Sequence, residues 1–120
     1  MIATTVRHDM PLSRGSVAWA DLSPTRGREQ AGERPVLVVA SRGYLTTVTT
    51  LVVVLPVTTV DRGWPNHVPL CGAHGLDRPS WAMTELLRTI ALDRIRDVIG
   101  LVDDATLSDV DVYLRDFLDL

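Results

Sequence analysis

The fold of this chain is decided by residues 14–41, RGSVAWADLSPTRGREQAGERPVLVVAS. Along residues 17–22 the side chains fall into two alternating sets with a period of two, which predicts a half-buried β-strand. Ser23 and Pro24 end that strand, and a loop rich in arginine and glutamate follows. Pro35 then leads into VLVVA, residues 36–40, a continuous apolar run that predicts a buried strand. The segment therefore predicts two strands joined by a charged loop.

Arg34 is the residue of this segment that we expect to bind a ligand. It ends the loop, next to a rigid proline and a buried strand, so its position is better defined than that of a residue on a flexible loop. The planar guanidinium fork matches the oxygens of a phosphate. The alternative is a structural role, in which Arg34 forms an ion pair with Glu29 or Glu33.

Three blocks of the chain resemble the MazF/PemK toxins, the sequence-selective endoribonucleases of toxin–antitoxin pairs. The first is RG-x-V-x-x-ADLSPT-x-G-x-EQ-x-G-x-RPVLVV, which begins at Arg14. The second is VVVLPVTTVDRGWPNHVPL, residues 52–70, which includes the Thr/Ser pair of the family. The third is GLDRPSWAMTELLRTIALDRI, residues 75–95, which resembles the family segment DSVAL-x-DQIRTI-x-x-x-RL. The blocks occur in the order and spacing of the family and cover most of residues 14–120.

This resemblance implies a mainly β, α+β fold. We expect a small SH3-like barrel of the CcdB/PemK-like type, built from antiparallel strands with outer helices that include a C-terminal helix. It also implies metal-independent cleavage of single-stranded RNA, in which the ribose 2′-hydroxyl attacks its own 3′-phosphate and leaves a 2′,3′-cyclic phosphate and a 5′-hydroxyl. The expected partners are a second copy of the chain and the acidic C-terminal segment of a MazE-like antitoxin, and no cofactor is expected.

The resemblance also assigns roles to individual residues. Arg34 and Thr58 are expected to be catalytic, with Thr59 as the alternative to Thr58. The residues expected to bind RNA are Trp19, Arg28, Glu29, Gln30, Thr59 and Glu85. Trp19 could instead be a core residue, and Thr58 could instead cap a backbone group at the strand end. Leu86 replaces a glutamine of the family, so the base preference of relatives does not transfer directly.

Arg88 and the histidines are expected to be structural. Arg88, in LLRTI, should anchor the fold through an internal pair rather than touch RNA. Nothing in the sequence brings two histidines together as an acid and base pair, and no His, Asp or Glu spacing resembles a metal site.

Length and composition predict one cytoplasmic domain. The 120 residues fit a domain at residues 14–120 that follows a flexible arm, residues 1–13. A hydrophobic fraction of 46% is typical of a globular protein. No apolar run reaches the roughly 18–20 residues of a membrane helix, and the N-terminus lacks the apolar core of a signal peptide. The single cysteine, Cys71, excludes an intramolecular disulfide.

The net charge of −3 is unevenly distributed along the chain. Residues 1–62 contain seven arginines and five acidic residues, whereas residues 63–120 contain five arginines and ten acidic residues. A chain with this balance is not a nonspecific nucleic-acid binder, because such domains are basic throughout. The N-terminal half, with a net charge of +2, can still bind a short stretch of RNA.

The rest of the chain predicts further strands and two helices. Residues 41–44 and 72–79 should be turns, residues 61–66 an exposed loop, and residues 49–57, 67–70 and most of 80–90 strands. Residues 93–99 are predicted to form a short helix that ends at Gly100. A longer helix should begin at Thr106, with Asp109 completing a capping-box-like start. Its apolar face is Leu107, Val110, Leu114, Phe117 and Leu118.

Two functions of other classes fit parts of the sequence. One is a non-catalytic toxin with the same barrel that binds a protein target such as gyrase. The other is a plain RNA-binding or peptide-binding SH3-like module. Neither requires the paired Arg34 and Thr58, and the appearance of discrete RNA fragments in EDTA would separate both from a nuclease.

Overall fold

A computed structural model describes residues 11–22 and 32–120, and their eight strands form one curled antiparallel sheet. The elements in chain order are β1 (Ser16–Asp21), β2 (Glu33–Val38), α1 (Arg42–Thr47), β3 (Leu51–Thr58), β4 (His67–Pro69), β5 (Gly72–Ala73), β6 (Trp81–Met83), β7 (Arg88–Ala91), β8 (Ile95–Val102) and α2 (Asp104–Leu118). The strand order is β4-β6-β3-β2-β1-β8-β5, and β7 also pairs with β3. The predicted mainly β fold with a C-terminal helix is confirmed.

The apolar residues of β2 and β3 pack into cores on both faces of the sheet. Leu37 of β2 and Leu55 of β3 belong to a core that also contains Val110 of α2. Their neighbours Val36 and Val54 belong to a second core on the opposite face, against which side chains of α1 pack. This two-sided burial explains why the run at residues 36–40 shows no alternation.

Strand β3 changes partner in its middle, at a proline. Residues 51–54 pair with β7, whereas residues 57 and 58 pair with β6. Pro56 lies between these two segments, so its missing N–H removes no bond from either of those ladders. On the other side of β3, the ladder with β2 ends at the pair of Val36 with Pro56.

The helix predicted at residues 93–99 is wrong, because these residues belong to a 3-10 turn and to β8. The pairing of β8 with β1 contains two register shifts, so the buried residues Ile95 and Val98 are three apart, as in a helix. Gly100 does not end a helix but lies buried within β8. A Cβ there would lie 2.3 Å from the backbone carbon of His74.

Other boundaries differ by smaller amounts. The turn predicted at residues 41–44 is the start of α1, which Ser41 caps by accepting a hydrogen bond from the Tyr44 N–H. Residues 72–79 include the short strand β5. The strands predicted at 67–70 and within 80–90 are confirmed as β4, β6 and β7, and a 3-10 turn separates the last two. Residues 1–10 of the predicted arm lie outside the described residues, and Leu12 packs against the second core.

Helix α2 begins two residues earlier than predicted, with Asp103 as its N-cap. The Asp103 carboxylate accepts hydrogen bonds from the hydroxyl and the N–H of Thr106, at 2.7 and 2.9 Å, and these bonds lower the pKa of Asp103. The predicted apolar face is only partly buried. Val110 is fully buried, but Phe117 and Leu118 are about half exposed.

Candidate active site

A cleft of about 630 Å³ opens where β2 and β3 stop pairing. Its lining residues are Trp19, Leu22, Glu33, Arg34, Pro35, Pro56, Val57, Thr58, Thr59, Leu76, Asp77, Arg78, Ser80, Met83 and Arg88. The structure therefore brings together both residues expected to be catalytic and two of those expected to bind RNA.

Arg34 and Thr58 each lie two residues beyond the last pair of the β2–β3 ladder. That last pair is Val36 with Pro56, and Arg34 and Thr58 both line the cleft that opens beyond it. Arg34 is not on the loop, as the sequence predicted, but within β2, where it pairs with Ala20 of β1. Its backbone is thus fixed by a strand, which strengthens the argument for a well-positioned cation.

The guanidinium of Arg34 is available to an anion. Its side chain is exposed and has no ion-pair partner among residues 11–22 and 32–120. Glu33, one of the two partners expected for a structural role, instead lies 3.6 Å from Nε of Arg96. The other, Glu29, lies outside the described residues. An arginine that lines a cleft without a carboxylate partner in the described part of the chain can offer both arms of its guanidinium to a phosphate.

The hydroxyl of Thr58 is oriented by one hydrogen bond within the fold and can still donate another. Its Oγ1 accepts a hydrogen bond from the Val60 N–H at 3.1 Å, which is the backbone-capping role considered as the alternative. Because the oxygen acts there as the acceptor, the hydroxyl hydrogen can still be donated to a ligand. Thr59 also lines the cleft and is exposed, without such a contact.

The other predicted RNA contacts divide into three groups. Trp19 lines the cleft and is half-buried, so it is not a pure core residue. Arg28, Glu29 and Gln30 lie outside the described residues and stay predictions. Glu85 does not line the cleft.

Glu85 is held outside the lining of the cleft by polar neighbours. Its carboxylate accepts a hydrogen bond from Asn66 Nδ2 at 2.8 Å and lies 2.9 Å from His67 Nε2. Partial burial raises the pKa of Glu85, but the hydrogen bonds and the charge interaction with His67 outweigh it and leave the pKa below its ordinary value. Glu85 thus contacts Asn66 and His67, and its binding to RNA stays a prediction.

Two arginines of the cleft were not expected at the site. Arg88 was expected to form an internal pair, yet it is exposed on β7 and, within the described residues, has no ion-pair partner. Arg78 enters the cleft from the turn before β6 and is likewise exposed. With Glu33 and Asp77 as the acidic lining residues, the described part of the cleft lining carries three positive charges against two negative ones. No sequence periodicity marks Arg78, whereas Arg88 could be found from its place at the start of a strand.

No group of three or more His, Cys, Asp or Glu side chains in residues 11–22 and 32–120 is arranged to hold a metal ion. Within the same residues, no helix is long and apolar enough to cross a membrane.

Comparisons with known proteins identify the family. The sequence model of the PemK-like, MazF-like toxins of type II toxin–antitoxin systems matches residues 13–118. The chain is 36% identical to endoribonuclease EndoA of Bacillus subtilis, over 88% of this chain and 93% of the relative. It is 35% identical to endoribonuclease MazF9 of Mycobacterium tuberculosis, over 91% and 98%.

Solved structures agree with the sequence comparisons. The MazE–MazF structure from Deinococcus radiodurans (form II) has a TM-score of 0.78 and 26% identity, over 93% of this chain and 99% of that chain. A mycobacterial endoribonuclease in complex with its cognate antitoxin has a TM-score of 0.75 and 25% identity, over 92% and 97%. The fold is thus the expected CcdB/PemK-like one, and the chain belongs to the family of PemK-like, MazF-like toxins of type II toxin–antitoxin systems.

Proposed function

We propose that this chain is a toxin that cleaves single-stranded RNA at selected sequences without a metal ion. The observation that carries the proposal is that Arg34 and Thr58 line one cleft, and that Arg34 has no carboxylate partner among the described residues. The names of the relatives EndoA and MazF9, both endoribonucleases, support the same activity.

The proposed reaction uses the RNA as its own nucleophile. The 2′-oxygen forms a bond to the adjacent phosphorus while the bond from phosphorus to the 5′-oxygen breaks. One proton leaves the 2′-oxygen and one joins the 5′-oxygen, so the products are a 2′,3′-cyclic phosphate and a 5′-hydroxyl. No water enters the bond-making step, so the site needs charge stabilisation and orientation rather than an activated water.

Arg34 and Thr58 are suited to that task. Negative charge develops on the phosphate oxygens in the transition state, and a fixed guanidinium and a fixed hydroxyl donor can stabilise it without rearranging. Arg34 can also polarise the leaving 5′-oxygen. Arg78 and Arg88 add positive charge to the same cleft, which would hold the flanking phosphates.

Base selection is proposed to involve the half-buried Trp19. Unpaired bases are recognised by stacking on aromatic rings and by hydrogen bonds to their edges. Trp19 lies opposite Pro35, the residue that follows Arg34, so its ring is close to the proposed phosphate site. Thr59 and the residues Arg28, Glu29 and Gln30 complete the proposed RNA-binding set.

We also propose that the chain acts in the cytoplasm as a homodimer that a cognate antitoxin inhibits. Two of the similar structures contain a toxin with its antitoxin, a MazE–MazF pair and a mycobacterial complex. An acidic, initially disordered segment of a MazE-like antitoxin would complement the three arginines of the cleft and exclude RNA from it. Binding of the antitoxin should then weaken with salt and compete with RNA.

The test is cleavage of a mixed RNA in excess EDTA by the wild-type protein and by two arginine variants. Arg34→Ala should reduce the cleavage rate about 10²- to 10³-fold, the usual cost of one charge-stabilising contact. Arg42→Ala is the matched control, because Arg42 is an exposed arginine on α1 that does not line the cleft. Sequencing the 5′ ends of the fragments would give the preferred cut site.

Three outcomes would contradict the proposal. A wild-type protein that binds RNA without cutting it would favour the binding module, and one that does neither would favour a toxin with a protein target. Equal rates for the folded Arg34→Ala variant and the wild type would overturn the assignment of the site.

A further inference from the structure

The loop between β3 and β4 presents an exposed tryptophan beside the cleft. Trp64 is 51% exposed, and its ring lies against that of His67, with the ring centroids 4.8 Å apart and the planes at 51°. His67 lies opposite Met83 in the pairing of β4 with β6, and Met83 lines the cleft. Trp64 therefore contacts His67, and the strand partner of His67, Met83, lines the cleft.

The loop holds Trp64 in a defined position. Asp61 accepts a hydrogen bond from the Gly63 N–H at 3.0 Å, and Gly63 has a φ of 73°, in the left-handed region that glycine adopts without strain. The His67 N–H donates to the Trp64 carbonyl at 3.0 Å, which closes a turn. A ring fixed in this way loses little conformational freedom when a ligand stacks on it.

The His67 side chain, against which the Trp64 ring lies, is also held in place. The His67 side chain is only 2% exposed, and its Nε2 lies 2.9 Å from Glu85 Oε2. Because an ionised carboxylate only accepts, Nε2 is the donor in this pair. Asn66 reaches the other carboxylate oxygen, and its own carbonyl accepts a hydrogen bond from Thr84 Oγ1 at 2.7 Å. These contacts tie the loop to the turn after β6.

We propose that Trp64 is a stacking platform for an unpaired RNA base that lies outside the nucleotide pair flanking the cut. The proposal rests on the proposed nuclease function and extends its binding site. Every base presents a flat π-face, so stacking adds affinity without strict sequence demands. Arg62, an exposed residue of the same loop, supplies a positive charge for the backbone of the stacked nucleotide.

The experiment measures binding of RNA that the protein cannot cut. Once the cut site is known, a labelled single strand with 2′-fluoro riboses, which lack the attacking hydroxyl, is titrated with protein and followed by fluorescence anisotropy. Trp64→Ala should bind roughly 5- to 150-fold more weakly than the wild type, the affinity lost with one base–aromatic stack. Trp64→Phe, which keeps a ring, should recover most of that loss.

A scan with abasic probes locates the stacked base. In each probe one nucleotide lacks its base. At one position outside the cut pair, removal of the base should weaken binding of the probe to the wild type but not to Trp64→Ala. Phe117→Ala is the matched control, since Phe117 is a 48% exposed aromatic residue on α2 that does not line the cleft. That variant should bind the intact probe as the wild type does.

The outcomes separate this proposal from the proposed function. A wild-type protein that neither binds nor cuts RNA would overturn both. Normal cutting and binding by the wild type, together with unchanged affinity of Trp64→Ala, would overturn the platform alone. So would a Trp64→Ala variant that keeps its RNA affinity but loses affinity for an acidic antitoxin peptide, because the ring would then be a protein contact.

Discussion

Replacing Thr58 by valine removes one hydroxyl from the cleft and keeps the branched shape of the side chain. The substitution removes the hydrogen bond that the Val60 N–H donates to Thr58 in an exposed turn, which should lower the free energy of unfolding by about 1 kcal/mol. In a domain of this size that is about 4 °C in Tm. The catalytic cost should be much larger, about 10²-fold in kcat, because the hydroxyl is proposed to donate to charge that develops only in the transition state.

The assay is single-turnover cleavage of an RNA containing the mapped site, with Tm measured on the same samples. Thr59→Val is the control, because Thr59 lines the same cleft without the contact that orients Thr58. Thr58→Ser keeps the hydroxyl and should retain most of the activity. A folded Thr58→Val variant that cuts at more than one third of the wild-type rate would refute the role of Thr58, and greater damage from Thr59→Val would transfer the role to its neighbour.

Three further predictions concern other parts of the chain. Arg88→Ala should weaken RNA binding and lower the slope of log affinity against log salt by about 0.7, because one phosphate contact is lost. An unchanged slope would show that Arg88 does not bind a phosphate in the site. Gly100→Ala should destabilise the fold by about 3 kcal/mol in chemical unfolding, because a Cβ would meet backbone atoms. Gly43→Ala on α1 should not destabilise it, because a Cβ there would meet only Ser41 Oγ, at an ordinary contact distance of 3.9 Å. Glu85 has a lowered pKa, so its contribution to stability is present above its ordinary value of 4.5 and is lost as the pH falls below it. Between pH 7 and pH 3.5, Tm should therefore fall more steeply for the wild type than for Glu85→Gln, and parallel curves would contradict this.

The strands that build the cleft could be predicted from local sequence. β1 alternates, β2 contains an apolar run that follows Pro35, and β3 is rich in β-branched residues. Arg34 and Thr58 stand out because each lies at the end of such a run, next to the point where the chain leaves the sheet. Their place in one cleft could not be predicted, because it depends on the register of β2 with β3, which local sequence does not encode.

The errors arise where tertiary contacts override local pattern. β8 was predicted as a helix because two register shifts against β1 set its first buried residues three apart. The RNA-binding role of Glu85 stays a prediction, but its contact with His67 joins residues 18 apart and could not be predicted from local sequence. Arg88 was assigned to an internal pair because sequence alone could not show that its strand borders an open cleft.

The chemistry of the RNA ends tests the central claim most directly. The wild-type protein is incubated with a defined single-stranded RNA in excess EDTA and heavy-oxygen water, and the fragments are weighed by mass spectrometry. Attack by the ribose 2′-hydroxyl predicts 5′-hydroxyl fragments and 3′ ends one water lighter than a linear phosphate, with no heavy oxygen incorporated at the cut. Loss of cleavage in EDTA, 5′-phosphate ends or heavy oxygen in the first-formed product would contradict the account and indicate a water nucleophile.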